Sequence, residues 1–268
     1  AGYSASAWRC TKGVVVNGSS QITLRPGQTT VCSITNDDIG PRLTVTKIVE
    51  STHGGTKVVA DFTLFVDLLQ VFSGVQNTLN TGSYIVSEQS TAGYTGVFSG
   101  DCAANGSVTM ALGDTKTCTI TNTDIAPSLR LVKVVSGGPN FAPDWTLFAS
   151  GPTPISGTTP VQSGPSFTAG TYTLSEVPGG AVVPYYVASP WSCSGGGTQV
   201  GATIALSVGQ SAVCTITNTF TPPQCDDNAD NDGDGLTDIA DPGCHSDLNP
   251  ENIESYTPSA TPQSQEST

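Results

Sequence analysis

The sequence is poor in positive charge: Lys and Arg number 9 against 22 Asp and Glu, for a net charge of −13. Nucleic acid is excluded as a partner on that ground, because neutralising phosphates takes clustered Lys and Arg. Long apolar runs are missing too. No stretch approaches the roughly 18 residues that cross a bilayer, so no membrane span is expected. Aromatic residues make up 7% and apolar residues 37%, which excludes one large core and leaves several thin ones. No segment carries a convincing helical period. No HExxH, GxSxG, GxGxxG or Walker sequence is present, which removes the common enzyme classes. Methionine occurs once, at Met110, and the chain opens on Ala1, so it reads as a processed or excised piece of something longer.

What the sequence has in quantity is turn formers and β-branched residues. Gly 30 and Pro 18 punctuate runs dominated by Val, Thr and Ile. Charge is divided along the chain: residues 1–220 hold 11 acidic and 9 basic residues, whereas 221–268 hold 11 acidic and no basic ones. A nearly neutral body is followed by a strongly acidic end.

Self-comparison sets the architecture. TVCSITNDDIGP (30–41) recurs as TCTITNTDIAP (117–127) and as VCTITNTF (213–220). LTVTKIV (43–49) matches LRLVKVV (129–135), DFTLF (61–65) matches DWTLF (144–148), and LNTGSYIVSE (79–88) matches FTAGTYTLSE (167–176). The repeating unit is about 90 residues long. Its segments alternate with the two-residue period of half-buried strands, which predicts an all-β chain of immunoglobulin-like or prealbumin-like β-sandwich modules arranged as a rod. The expected divisions are a closing third of a module at 1–38, full modules at 39–124 and 125–221, an acidic loop at 222–245 and a Ser/Thr/Pro-rich linker or tail at 246–268.

The eight cysteines follow the repeat. Each copy carries one in its last strand and one shortly before, pairing Cys10 with Cys32, Cys102 with Cys118, and Cys193 with Cys214. Cys225 and Cys244 bracket the acidic loop. An even count without CxxC spacing implies disulfides and an oxidising, extracellular or cell-surface location.

Strand parity puts three polar residues on the apolar face of each full module. Lys47 aligns with Leu43 and Val45, Glu88 with Tyr84 and Val86, and Asn122 with Cys118 and Ile120. Lys133, Glu176 and Asn218 are their counterparts. Unpaired charge is costly to bury. Desolvation favours a neutral amine and a protonated acid, and that pair can attack and polarise a carboxamide. Loss of ammonia would leave an amide cross-link and no buried charge. The other reading of these residues is a partly exposed Lys–Glu pair with Asn closing a strand end.

Lys in the first strand, Tyr-x-x-x-Glu in a middle strand and Asn in the last resemble the Cna-B or SpaA-like (prealbumin-like) modules of bacterial surface adhesins and pili. The resemblance covers about 39–220. It implies self-formed Lys47–Asn122 and Lys133–Asn218 isopeptide bonds, with Glu88 and Glu176 catalytic for that step alone. The disulfide near the last strand departs from many family members.

CDDNADNDGDGLTDIADPGC (225–244) is the strongest local motif. Asp230, Asp232, Asp234, the Leu236 carbonyl, Asp238 and Asp241 fall at the ligand positions of a calcium loop, with Gly235 at its sharp turn. Hard oxygen ligands select Ca²⁺ as the cofactor. The loop resembles those of thrombospondin type 3 or dockerin repeats. Beyond it, the polar composition reads as a disordered stalk open to glycan attachment, and His53 and His245 are expected to be exposed.

These features describe a structural stalk or fibre segment of a surface adhesin or pilus-like filament. In residues 1–38, Asn36 has no partner in its own repeat, and Ile22, Leu24, Val31 and Ile34 have too little sheet to cover them. Either the chain continues a longer repeat array, or a strand from a second copy completes the sheet and links copies head to tail. The alternative function is a carbohydrate- or protein-binding accessory module of a secreted protein, with Tyr185 and Tyr186 as exposed contacts.

Overall fold

The structure, a computed structural model, describes residues 2–259 apart from Gly13, Val15, Ser19, Asp232 and Asp234. Among these residues there is no α-helix, only strands and short 3-10 turns. The chain is all-β, a tandem of prealbumin-like β-sandwich modules, and it divides into compact units at Ala1–Ile125 and Ala126–Thr268.

At the start of the first unit, β1 (Tyr3–Ala5), β2 (Arg9–Cys10), β3 (Cys32–Ser33) and β4 (Asn36–Asp38) form two small antiparallel ladders, β1 with β4 and β2 with β3. The full module that follows is built from β5 (Arg42–Glu50), β6 (Leu64–Val66), β7 (Leu69–Val71), β8 (Gln76–Thr78), β9 (Gly82–Glu88), β10 (Tyr94–Gly100), β11 (Ser107–Met110) and β12 (Thr115–Asp124). Its two four-stranded sheets run β10-β12-β5-β8 and β11-β9-β6-β7. Between them lie Leu43, Val45, Val86, Met110, Cys118 and Ile120. The inward residues alternate along each strand because side chains point to opposite faces of a pleated sheet.

The N-terminal ladder repeats the geometry of β10 and β12. Tyr3 faces Asp38 as Tyr94 faces Asp124, and the Ile39 N–H donates to the Gly2 carbonyl as the Ile125 N–H does to that of Gly93. Among the described residues of this segment, only these two small ladders are formed. Trp8 shows the consequence: it is 41% exposed, while Trp191 at the same repeat position is 8% exposed.

In the second unit, the strands are β13 (Ser128–Ser136), β14 (Trp145–Ser150), β15 (Ile155–Gly157), β16 (Val161–Gln162), β17 (Gly170–Pro178), β18 (Tyr186–Ala188), β19 (Ser192–Gly195), β20 (Thr198–Val200), β21 (Thr203–Leu206) and β22 (Ser211–Phe220). One sheet runs β16-β13-β22-β18, with β19 also paired to β22; the other runs β15-β14-β17-β21-β20. Phe167 stacks on Tyr172 at 4.5 Å in this core.

In both modules the first and last strands are parallel neighbours, β5 with β12 and β13 with β22. Every disulfide expected from the repeats is present: Cys10–Cys32, Cys102–Cys118, Cys193–Cys214 and Cys225–Cys244.

The acidic end differs from expectation. Residues 246–257 do not continue as a free tail but fold back on the loop. The Ser246 N–H donates to the Ser255 carbonyl and the Thr257 N–H to that of Cys244, while the Tyr256 hydroxyl donates to the Cys225 carbonyl. Tyr256 packs its ring on His245 at 5.4 Å. One aromatic ring and a buried disulfide give this segment a core that its polar composition concealed. Residues 260–268 lie outside the described residues.

Candidate functional site

The polar cluster of the first module is assembled from both sheets. Lys47 on β5 pairs in register with Ile120 of the parallel β12, and Asn122 stands opposite Val49. Lys47 and Asn122 thus point inward from adjacent strands, while Glu88 enters from β9 in the facing sheet. Lys47 is 4% and Asn122 1% exposed. Lys47 Nζ lies 3.0 Å from Glu88 Oε2 and donates to the Ile120 carbonyl at 3.4 Å. The contact with Glu88 is an ion-pair distance without hydrogen-bond alignment, so Glu88 Oε2 has no hydrogen-bond partner, and neither has the buried Asn122 Oδ1.

The second module repeats the arrangement more tightly. Lys133 pairs with Ile216 and Val135 with Asn218, and Lys133 Nζ donates to Glu176 Oε2 at 2.6 Å. Asn218 Oδ1 is again buried without a partner. Burial pushes the Lys47 and Lys133 amines below the usual lysine range, and the glutamate beside each pulls it part of the way back. A lysine amine, a carboxyl and a carboxamide whose oxygen has no hydrogen-bond partner face one interior. That is the reactant set for amide exchange.

Aromatic residues that sequence reasoning passed over close the cluster. Lys47 Nζ stands 4.5 Å from the centre of the Phe62 ring, and Lys133 Nζ 4.8 Å from that of Trp145. The matched DFTLF and DWTLF segments already held this signal, since an aromatic follows the Asp in both. Asp124 was also passed over, although it continues the inward parity of Asn122. Its carboxylate accepts from the backbone N–H groups of Thr52, His53 and Gly55, each at 2.8 Å. Burial alone would raise its pKa, but these donors outweigh burial and hold it at about 2. In the second module Phe220 takes this place and packs on Tyr186 at 5.2 Å.

Both histidines are tied into the fold rather than free in solvent. His53 Nδ1 lies 3.2 Å from Asp124 Oδ1. His245 is buried, with Nε2 at 2.9 Å from the Ile239 carbonyl and Nδ1 at 3.0 Å from Ser255 Oγ. Tyr185 and Tyr186 are half-buried rather than exposed. The Tyr186 ring meets Trp145 at 5.1 Å, and its hydroxyl accepts from the Asn140 N–H and donates to the Gly137 carbonyl. A ring so engaged is part of the module's wall, not a contact platform.

In the acidic loop, Asp230 accepts from the N–H groups of Gly233 and Gly235. Asp238 accepts from those of Asp227 and Asn228, which pins one side of the loop to the other. Asp241 is buried and accepts from Gly243 at 2.6 Å, and Leu236 is 40% exposed. Asp232 and Asp234 lie outside the described residues. Among the described residues, no three or more His, Cys, Asp or Glu are grouped as metal ligands, and no helix is long and apolar enough to cross a membrane.

Against known proteins, residues 1–34, 38–120 and 124–216 each match the SpaA-type family described as a prealbumin-like fold domain. No curated protein matches the chain in sequence. Among solved structures, the Bacillus anthracis TIE protein is 16% identical over 75% of this chain, with a TM-score of 0.41, and this chain spans 39% of it. The major pilin T3.2 of Streptococcus pyogenes is 14% identical over 69% of this chain and 99% of its own, with a TM-score of 0.35. A C-terminal fragment of the pilus adhesin SpaC from Lactobacillus rhamnosus GG is 14% identical over 67% and 98%, with a TM-score of 0.32. The three successive family matches, not these overlays, carry the assignment.

Proposed function

Because the chain belongs to the SpaA-type family of prealbumin-like fold domains, we propose that it is a structural stalk segment of an extracellular surface fibre, of the adhesin or pilus-like kind. In this reading it carries tension through Lys–Asn cross-links. The observation that carries the reading is the buried Lys and Asn on the parallel first and last strands of both modules, met by a Glu from the facing sheet. A module entered at the start of β5 and left at the end of β12 is pulled along two adjacent parallel strands, so its hydrogen bonds are loaded in shear. A bond from Lys47 to Asn122 passes the force straight between them.

The chemistry needs no outside reagent. The neutral amine attacks Asn Cγ, and the carboxyl of Glu88 or Glu176 polarises Oδ1. The carboxyl then protonates the departing nitrogen, which leaves as ammonia. Burial supports this by favouring the uncharged form of the lysine amine.

Calcium belongs to the same reading. Asp230, Asp232, Asp234, the Leu236 carbonyl, Asp238 and Asp241 would hold Ca²⁺, which offsets their mutual repulsion and stiffens the exit from the last sandwich. At the other end, the N-terminal ladder offers edges that a strand of a second copy can complete, giving a head-to-tail fibre.

Force spectroscopy on the full chain tests the function. The cross-links keep 48–121 and 134–217 from extending, so those segments add no length before rupture. Full extension of either module under force contradicts the proposal.

A further inference from the structure

The strand opposite the asparagine carries a repeated feature that neither the Lys–Glu–Asn set nor the disulfides explain. Gly96 on β10 stands directly across from Asn122 on the antiparallel β12, and residues directly opposed across a ladder share a face. A side chain at 96 would therefore enter the same interior. A Cβ built there would meet Glu88 Oε1 at 2.5 Å and Asn122 Oδ1 at 2.6 Å. The carboxyl and the carboxamide converge on the volume that the missing side chain leaves. Gly96 is not among the glycines with positive φ, so space rather than backbone conformation is what glycine supplies.

The other repeats agree. Ala188 on β18 is the cross-strand neighbour of Asn218, and Ala5 on β1 that of Asn36. The preceding position varies through Ser4, Thr95 and Val187, whereas the residue facing the asparagine is Ala or Gly in all three repeats.

We propose that the residue facing the asparagine, Gly96 in the first module and Ala188 in the second, is a positioning residue that admits the glutamate carboxyl to the asparagine carboxamide. It thereby sets how far Lys–Asn bond formation proceeds in its own module. The inference rests on the cross-link reading above. In the step concerned, Lys Nζ bonds to Asn Cγ and the Cγ–Nδ2 bond breaks. The glutamic acid gives its proton to Nδ2, which leaves as ammonia, and regains one from Nζ. A branched side chain at 96 takes the place of the carboxyl and holds it away from Oδ1. Displacements of about 1 Å in such reactions cost on the order of 100-fold in rate.

The test compares wild type, Gly96→Ala and Gly96→Val in the full chain. After denaturing digestion, mass spectrometry quantifies the peptides joining Lys47 to Asn122 and Lys133 to Asn218. Wild type yields both. Gly96→Ala, whose single Cβ meets only the movable far ends of the Glu88 and Asn122 side chains, retains both. Gly96→Val loses the first by at least about tenfold and keeps the second, while the Cys102–Cys118 disulfide and a cooperative melt of the first module persist. A purely structural role would move the melt and not the cross-link. If Gly96→Val does not melt cooperatively, Gly96→Ser replaces it, with a yield below that of Gly96→Ala. Equal first-module yields in wild type and the bulkier variant overturn the role of Gly96. Absence of both peptides from wild type overturns the cross-link reading itself, and the role of Gly96 with it.

Discussion

Lys47 and Asn122 project into one closed interior from adjacent parallel strands, two residues out of register, with Glu88 reaching them from the facing sheet. The same relationship joins Lys133, Asn218 and Glu176. Removing the carboxyl therefore has two separable effects. Glu88→Ala leaves the first module with its full complement of nitrogen and a buried amine without its partner. Breaking one side of a buried pair costs about 3–5 kcal/mol, so the first module melts earlier while the second is unchanged. Differential scanning calorimetry of Glu88→Ala and Glu176→Ala, each affecting its own module, checks this.

Asp124 gives the first module an acid-sensitive contact at a position where the second has Phe220. Its folded pKa of about 2 lies below its ordinary 3.8, so the folded state holds the ionised form more strongly than the unfolded chain does. The stabilisation is complete above about pH 4 and is lost as pH falls through about 2; the shift amounts to about 2 kcal/mol. Asp124→Asn should remove most of this dependence. Thermal melts between pH 5 and pH 2 measure it, and the second module, with Phe220 in that place, is the internal control.

Much of this site was legible in the sequence because strand parity is strict: a residue two positions from a core residue is on the core face. That rule puts Lys47, Glu88 and Asn122 on the apolar face, the family resemblance implies that they meet, and the repeat pairs the cysteines. What parity could not supply is the identity of cross-strand neighbours, which depends on register. The place of Gly96 across from Asn122 therefore appears only in three dimensions. The docking of 246–257 was concealed for another reason. Its core consists of Tyr256, His245 and the Cys225–Cys244 disulfide, too small a set to mark a largely polar segment.

The acidic end should respond to calcium and to loss of its aromatic anchor independently of the modules. Calcium is expected to protect 225–257 from hydrogen exchange, and a chelator to reverse that. Asp230→Asn should weaken binding measured by calorimetry. Tyr256→Phe, which removes the bond to the Cys225 carbonyl, should destabilise the segment by about 1 kcal/mol and speed its proteolysis.

Residues 1–38 should govern self-association. Their apolar side chains, including Val31 at 71% exposure, have no facing sheet among the described residues. The full chain is expected to polymerise with concentration, and a chain lacking 1–38 to stay short. Light scattering distinguishes them, and equal behaviour of the two chains removes strand addition from the account.

The central claim is covalent, and an intact mass tests it directly. The full chain, denatured and with its disulfides reduced, should be lighter than its sequence by two molecules of ammonia. Glu88→Ala should be lighter by one. A wild-type mass equal to that of the unmodified sequence contradicts the account.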